Sequence, residues 1–432
     1  MPLKNIKNRI KQKPLSKAFG FVKKIDPINI IAHKLVVSIG DLVRIKTQNR
    51  ETLGMVTSVS KDEFTITPFS FTEGIRINDK VYLDENGMQI PVGEGLLGRV
   101  VDPFMKPMDD KGPIIFKEKI DIMKKPISPL KRGIINEVFP TGVKSIDGLL
   151  TCGLGQKLGI FAGSGVGKST LMGMIVKGSR ADIKVIALIG ERGREIPEFI
   201  HDNLNNDLTN TVIIAATSDD SALMRKYGAF SAMAVAEYFK NQNKNVLFIM
   251  DSVTRFAMAQ REIGLAMGEP PTSKGYPPSS IMILPQLMER AGKEEGKGSI
   301  TAFFTVLVEG DDTSADPIAD QARSILDGHI ILDRELTDMG IYPPINILKS
   351  ASRVMGNVVD DMHLAKARKF KKLYALLKEN EVLLRIGAYQ KGSDPELDEA
   401  VARKEAMENF LKQSPKELFS FDEIKNMLFN TV

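Results

Sequence analysis

The sequence predicts an α/β core with a mostly parallel sheet, preceded by a β-barrel and followed by a helical region. Three observations predict this. Short apolar runs bounded by turn residues crowd residues 18–91. From Leu158 to Leu332 apolar runs alternate with helical patterns, as expected of a parallel sheet covered by helices on both faces. Beyond Met355 only helical periodicity remains.

Composition sets the frame. The chain has 432 residues, 43% hydrophobic and 26% charged, enough for two or three domains. The net charge of +5 is too small to argue for nucleic acid by itself, but its distribution is uneven. Residues 1–25 carry eight basic side chains and no acidic one. A single cysteine, Cys152, excludes an internal disulfide and fits a reducing cytoplasm. No apolar run is long enough to span a membrane, and no apolar signal core follows the basic start.

Residues 1–17 read as an amphipathic arm, with Leu3, Ile6 and Ile10 on one side among lysines and Pro14 as its stop. Such an arm docks on a protein or an anionic membrane, or else it is a solvated tail. Seven barrel strands are expected, at 19–22, 28–31, 35–39, 42–45, 54–59, 64–67 and 81–83, with the Asn86-Gly87 pair as a hairpin signal. Nothing in the barrel looks catalytic. The Pro- and Gly-rich stretch from Val92 to Pro140 reads as extended chain laid over a core. A short helix from Ser145 leads into the next element.

That element organises the chain. The apolar run Leu158 to Phe161 breaks into Ala162-Gly163-Ser164-Gly165-Val166-Gly167-Lys168-Ser169-Thr170, and a helical pattern follows. Strand, glycine-rich turn and helix in this order make a phosphate-binding loop. Glycines at 163, 165 and 167 let backbone N–H groups approach phosphate oxygens, and the helix start adds its positive end. Lys168 would reach the β- and γ-phosphates, and the Ser169 hydroxyl would ligate Mg²⁺. The strict pattern begins with Gly where this chain has Ala162, a strand-end position that tolerates a methyl group.

Sites in such sheets lie past the carboxyl ends of the strands. After Val185 to Ile189 comes Gly190-Glu191-Arg192-Gly193-Arg194-Glu195. Glu191 either polarises an attacking water or pairs structurally with Arg192 or Arg194; spacing alone does not choose. After Val246 to Met250 comes Asp251, suited to orient Mg²⁺ and its waters. Arg255, one turn on, is a phosphate sensor or a surface base. After Thr301 to Val308, the acidic loop Glu309 to Ser314 reports nucleotide state, lines a pore or is a solvated turn. Tyr342 stacks on adenine or packs in the core. Arg353, beyond the last strand, could complete a neighbouring subunit's site, which requires an oligomer. Helices are expected at 363–377, 397–411 and 421–428.

Several of these stretches together resemble one family: Thr141-Gly142-Val143, Ile146 to Leu150, the phosphate loop, 190–195, Tyr276 to Ser279 and Ser352-Arg353-Val354. They resemble the catalytic subunits of rotary F-type and V-type ATPases. Leu150 to Gly153, Asp316 to Asp320 and Ser324 to His329 look more like the ATPases of type III protein export, the flagellar ones ahead of those of virulence injectisomes. The resemblance implies a RecA/F1-like core over residues 92–360, a barrel over 18–91 that drives ring assembly, and a helical domain over 361–432 that faces export substrates and a central stalk protein. It implies a homohexamer that hydrolyses ATP with Mg²⁺ between subunits. Lys168 and Ser169 would hold phosphate and metal, Glu191 would activate water with Arg192 beside it, and Asp251 would be the second-strand acid. Tyr342 would contact adenine, and Arg353 would reach the neighbour's site. The implied partners are a flagellar export regulator on the arm, the stalk, substrates with their chaperones, and a membrane export gate. The implied place is the cytoplasm beside the inner membrane. A nucleic-acid motor is the alternative of another class. It would show aromatic and basic residues interleaved on one barrel face; Phe64, Phe69 and Phe71 are present, but few basic residues lie near them.

Overall fold

The computed structural model describes residues 18–84, 87–308 and 316–432. The arm at 1–17, the acidic loop Glu309 to Ser314 and Asn86 of the hairpin signal lie outside them.

Six strands close the barrel: β1 (Phe19–Ile25), β2 (Ile30–His33), β3 (Leu42–Lys46), β4 (Glu51–Val59), β5 (Glu63–Pro68) and β6 (Lys80–Leu83), in the order β1-β2-β5-β4-β3-β6. Alternate residues such as Val22, Ile30, Ala32, Val43, Ile45, Ile66 and Val81 fill its interior, as the two-residue period of a strand requires. Two expectations fail here. The apolar run 35–39 is a loop, not a strand. Lys34 and Gly40 turn the chain with positive φ at either end, and Asp41 accepts the Ser38 N–H at 2.7 Å. Only Leu35 and Val37 pack on the barrel; Val36 and Ile39 face solvent. The second strand also starts at Ile30 rather than Ile28, because the Asp26 N–H closes a turn on the Asn29 carbonyl.

The connector is less passive than its composition suggests. β7 (Gln89–Val92) and β9 (Glu118–Asp121) pair as a ribbon, and β8 (Arg99–Val101) joins the edge of the large sheet, parallel to β12. Arg99 pins this edge through Asp109, with both bonds at 2.8 Å.

The core sheet contains β10 (Lys157–Ala162), β11 (Ile183–Glu191), β12 (Thr211–Thr217), β13 (Val246–Asp251), β14 (Gly292–Lys293), β15 (Ser299–Leu307), β16 (Gly328–Ile331) and β17 (Ala351–Ser352). Its order is β17-β16-β10-β15-β13-β11-β12-β8, with β14 beside β15. Only β14 and β17 run antiparallel to their neighbours. Every residue of β10 and β13 is buried, so these strands read as unbroken apolar runs. Alternate residues of β11 serve two separate cores: Val185, Ala187 and Ile189 on one face, Ile186 and Leu188 on the other.

Helices α1 (Lys144–Leu149), α2 (Lys168–Gly178), α3 (Ala222–Lys240), α4 (Val253–Ala266), α5 (Pro278–Met288), α6 (Pro317–Ile325) and α7 (Arg334–Asp338) cover the sheet. Arg290 is fully buried between α5 and β14 and holds Glu237 of α3 bidentately at 2.7 and 2.8 Å. The C-terminal layer is α8 (Asp361–Glu379), α9 (Pro395–Leu411) and α10 (Phe421–Thr431), capped by Asp360, Asp394 and Ser420. It packs on α1, where Phe410 meets Gly148 and His363 bonds the Gly148 carbonyl at 2.9 Å.

Candidate active site

The phosphate loop forms as its residues dictate. β10 ends at Ala162, whose methyl group is buried. Gly165 and Gly167 take φ of 76° and 93°, conformations that side chains disfavour. α2 then starts at Lys168 with no side chain capping it, leaving its first N–H groups open to an anion. Gly163, Ser164, Gly165, Gly167, Lys168, Ser169 and Thr170 border a cleft of about 530 Å³. Val166 does not line it; its side chain is buried beneath the loop.

The strand ends bring the charges together. Lys168 Nζ lies 2.5 Å from Asp251 Oδ1 and 3.6 Å from Glu191 Oε1. Thr305 Oγ1 donates to the same Asp251 oxygen at 2.7 Å. Glu191 therefore pairs with the loop lysine and not with Arg192 or Arg194. Burial, and next the Asp251 carboxylate, push the Glu191 pKa up to about 7, against the pull of Lys168. Burial alone would lower the Lys168 pKa, but Asp251 and Glu191 outweigh it and raise it. The site thus holds one cation between two carboxylates, one of them poised near neutrality.

Arg192, Glu195, Ser218 and Arg255 complete the cleft. Arg255 stands in the first turn of α4, and its buried Nε has no hydrogen-bond partner. Gly190 makes room for it: φ is 75°, and a Cβ there would lie 2.8 Å from Arg255 Cβ. Arg334 of α7, which the sequence reading missed, bonds the Ser164 carbonyl at 2.9 Å. It sits far along the chain with no motif around it.

Tyr342 is not a core aromatic; it is 38% exposed. Its ring lies 3.6 Å from where a Cβ of Gly167 would be. On its other side opens a recess of about 520 Å³ lined by Lys144, Asn409, Gln413 and Phe419. Tyr342 lines this recess and stands beside Gly167 of the phosphate loop. None of those four residues was singled out from sequence. Arg353 is exposed just past β17, with its N–H on the Asp327 carbonyl, and does not line the cleft of its own chain.

The donors fit a hard divalent cation held mainly by substrate and water. Among the described residues no cluster of three His, Cys, Asp or Glu side chains could cage a metal. The cleft instead offers the Ser169 hydroxyl, while Asp251 is held on the neighbouring Lys168, as suits Mg²⁺.

Residues 142–352 match the nucleotide-binding domain of the ATP synthase alpha/beta family, and 359–430 match the C-terminal domain of the type III secretion ATPase EscN. The flagellum-specific ATP synthase of Helicobacter pylori is 65% identical over 98% of each chain. The chain belongs to the type III export branch of the ATP synthase alpha/beta family. It is accordingly an ATPase with an F1-like fold. The assembled EscN ATPase of the enteropathogenic E. coli type III secretion system superposes with a TM-score of 0.90 at 45% identity, over 95% of this chain and 99% of that one. EscN in complex with its central stalk EscO gives 0.89 at 44%, with the same coverage.

Proposed function

We propose that this protein hydrolyses ATP to ADP and phosphate in a ring of identical subunits, six in number, and so energises export of flagellar proteins. The observation that carries the chemistry is Lys168 held between Glu191 and Asp251 at the foot of the phosphate loop. In this reading the loop and α2 bind the β- and γ-phosphates. Glu191 takes a proton from water as its oxygen bonds to the γ-phosphorus, and the bond from that phosphorus to the bridging oxygen breaks towards ADP. Lys168 and Arg255 offset charge on the transferring group, and Arg192 borders its path. Ser169, with Asp251 through water, would hold Mg²⁺, which supplies charge neutralisation on the phosphates when bound. Tyr342 and Phe419 would flank adenine, and Arg353 would enter the next subunit's cleft.

The flagellar setting rests on 65% identity to the Helicobacter pylori relative against 45% to EscN. An injectisome is the alternative. By analogy with EscN and its stalk EscO, a central stalk would contact the helical layer. The basic arm would meet an export regulator; substrates, chaperones and the membrane export gate are further partners. Among the described residues no helix is long and apolar enough to cross a membrane, which fits a cytoplasmic protein held peripherally at the export apparatus. A nucleic-acid motor has one observation in its favour: Lys80 lies 4.6 Å over Phe19, and Lys34 5.8 Å over Phe21, on the outer barrel face. Phe64 and Phe69, by contrast, are core residues.

The test is hydrolysis by purified protein against Lys168→Ala. We expect turnover that rises with assembly and a loss of roughly 10³-fold in the variant, with unchanged circular dichroism. Wild-type protein that binds no ATP, or lone subunits as active as assembled ones, would refute the proposal. Stimulation by RNA would favour the motor instead.

A further inference from the structure

Gln413 lies just past α9 and is 3% exposed. Its Oε1 accepts the Lys144 N–H at 2.8 Å, and its Nε2 donates to the Gly142 carbonyl at 2.8 Å and to the Glu417 carbonyl at 3.1 Å. Its own N–H donates to the Tyr342 carbonyl at 2.6 Å. One side chain from the C-terminal layer thus grips the strap 141–144 that leads into α1, while its backbone grips Tyr342, which lines the recess.

The strap is itself stiff. Buried Asp147 accepts from Thr141 N, Thr141 Oγ1 and Gly142 N at 2.7 to 3.1 Å. Its backbone lies flat on the last turn of α2, so close that a Cβ on Gly178 would stand 2.2 Å from the Thr141 carbonyl oxygen. α2 is the helix that begins at Lys168. A rigid path therefore runs from the phosphate loop down α2, across to Gly142, through the Gln413 amide and back up to Tyr342.

We infer that Gln413 is a positioning residue that sets affinity for the base half of the nucleotide by fixing Tyr342 at a set distance from the phosphate loop. This rests on the nucleotide reading proposed above. Without the amide, residue 413 loses its hold on the strap, and the bond from its N–H no longer locates Tyr342. The phosphate contacts do not pass through Gln413, so they stay in place. The effect is selective: a ligand with a base is weakened and a ligand without one is not.

The experiment measures kcat and KM for ATP on the full chain, with inorganic tripolyphosphate as a competitive inhibitor that lacks base and ribose. Gln413→Ala removes all three side-chain bonds; we expect KM to rise about tenfold, about the free energy of one of them, with kcat kept within about twofold. The inhibition constant for tripolyphosphate stays at the wild-type value. An unchanged KM overturns the inference, and so does equal weakening of ATP and tripolyphosphate, which marks general loosening. Should Gln413→Ala not fold, Gln413→Glu keeps the acceptor for Lys144 N–H but sets a carboxylate oxygen against the Gly142 carbonyl. The same selective rise is then expected, and wild-type values overturn the inference. Wild-type protein that binds tripolyphosphate but not ATP fails the nucleotide reading itself; wild-type binding with indifferent variants fails only the role of Gln413.

Discussion

The two ends of the proposed nucleotide groove are built on opposite plans. The phosphate end gathers the ends of β10, β11 and β13, three strands of one sheet, and its working groups are charges: Lys168, Glu191, Asp251 and Arg255. The proposed base end gathers a loop at Tyr342, the strap at Lys144 and the segment from Gln413 to Phe419, and under that proposal it would work through aromatic faces and shape. The first is held by a sheet that is buried on both sides. The second is held by a seam between the core and the C-terminal layer, where one glutamine bridges positions 269 and 271 residues apart.

The sharpest test of this division is Arg353, which in a single chain serves neither end. If it completes the phosphate end of a neighbour, Arg353→Ala should cost roughly 10³- to 10⁵-fold in kcat while ATP binding persists. Mixing inactive Arg353→Ala with inactive Lys168→Ala should then restore part of the activity, because some interfaces pair an intact loop with an intact arginine. No recovery in mixed assemblies would place Arg353 outside the phosphate end.

Next in size is Glu191. If it accepts the water proton, as proposed, its loss in Glu191→Gln should cost about 10²- to 10⁴-fold with little change in KM. It must be ionised to act, and its pKa stands at about 7. Wild-type turnover should therefore fall as pH drops through about 7. The sign for stability is opposite. Between its ordinary 4.5 and about 7, the folded protein without nucleotide keeps a proton that the unfolded chain releases. Folding stability should then decrease as pH rises through that window. Denaturant titrations at several pH values check this, and Glu191→Gln should remove the slope. A flat wild-type rate from pH 6 to 8 would take Glu191 out of the role of base.

These plans also explain what could be read from residues alone. The phosphate end is written in consecutive residues, because a loop that approaches phosphate with its backbone needs glycine at fixed steps. Asp251 and Glu191 announce themselves by following unbroken apolar runs. The base end has no local signature. Gln413, Phe419 and Lys144 sit in ordinary helical or loop contexts, and only packing of the C-terminal layer on α1 brings them to Tyr342. Arg334 was invisible for the same reason: its work is a bond to a carbonyl more than a hundred residues away. Elsewhere, apolar content misled where backbone conformation ruled. Leu35 to Ile39 has strand-like composition, yet turns at Lys34 and Gly40 leave it a loop. β8 was missed because three residues are too few to show a period.

At the base end the expected effects are smaller and fall on binding. Tyr342→Ala should raise KM about tenfold, since stacking on a base contributes roughly 1–3 kcal/mol per ring, and should leave kcat nearly unchanged. Tyr342→Phe should behave as wild type. A fall in kcat that matches Glu191→Gln would erase the distinction between the two ends.

The smallest effect expected is at Ala162, where the chain departs from the strict phosphate-loop pattern. Ala162→Gly restores that pattern. If the first position serves only to end β10, turnover should not improve, because phosphate is met by backbone groups further along the loop. The change should instead cost about 0.5–1 kcal/mol of stability, as glycine does inside a strand. The methyl group at this position is buried in the core and does not line the phosphate cleft. Urea denaturation and steady-state rates on the same preparation separate the two effects. A gain in kcat would mean that the strand end reaches the phosphates after all, and that the phosphate end begins at residue 162 rather than at Gly163.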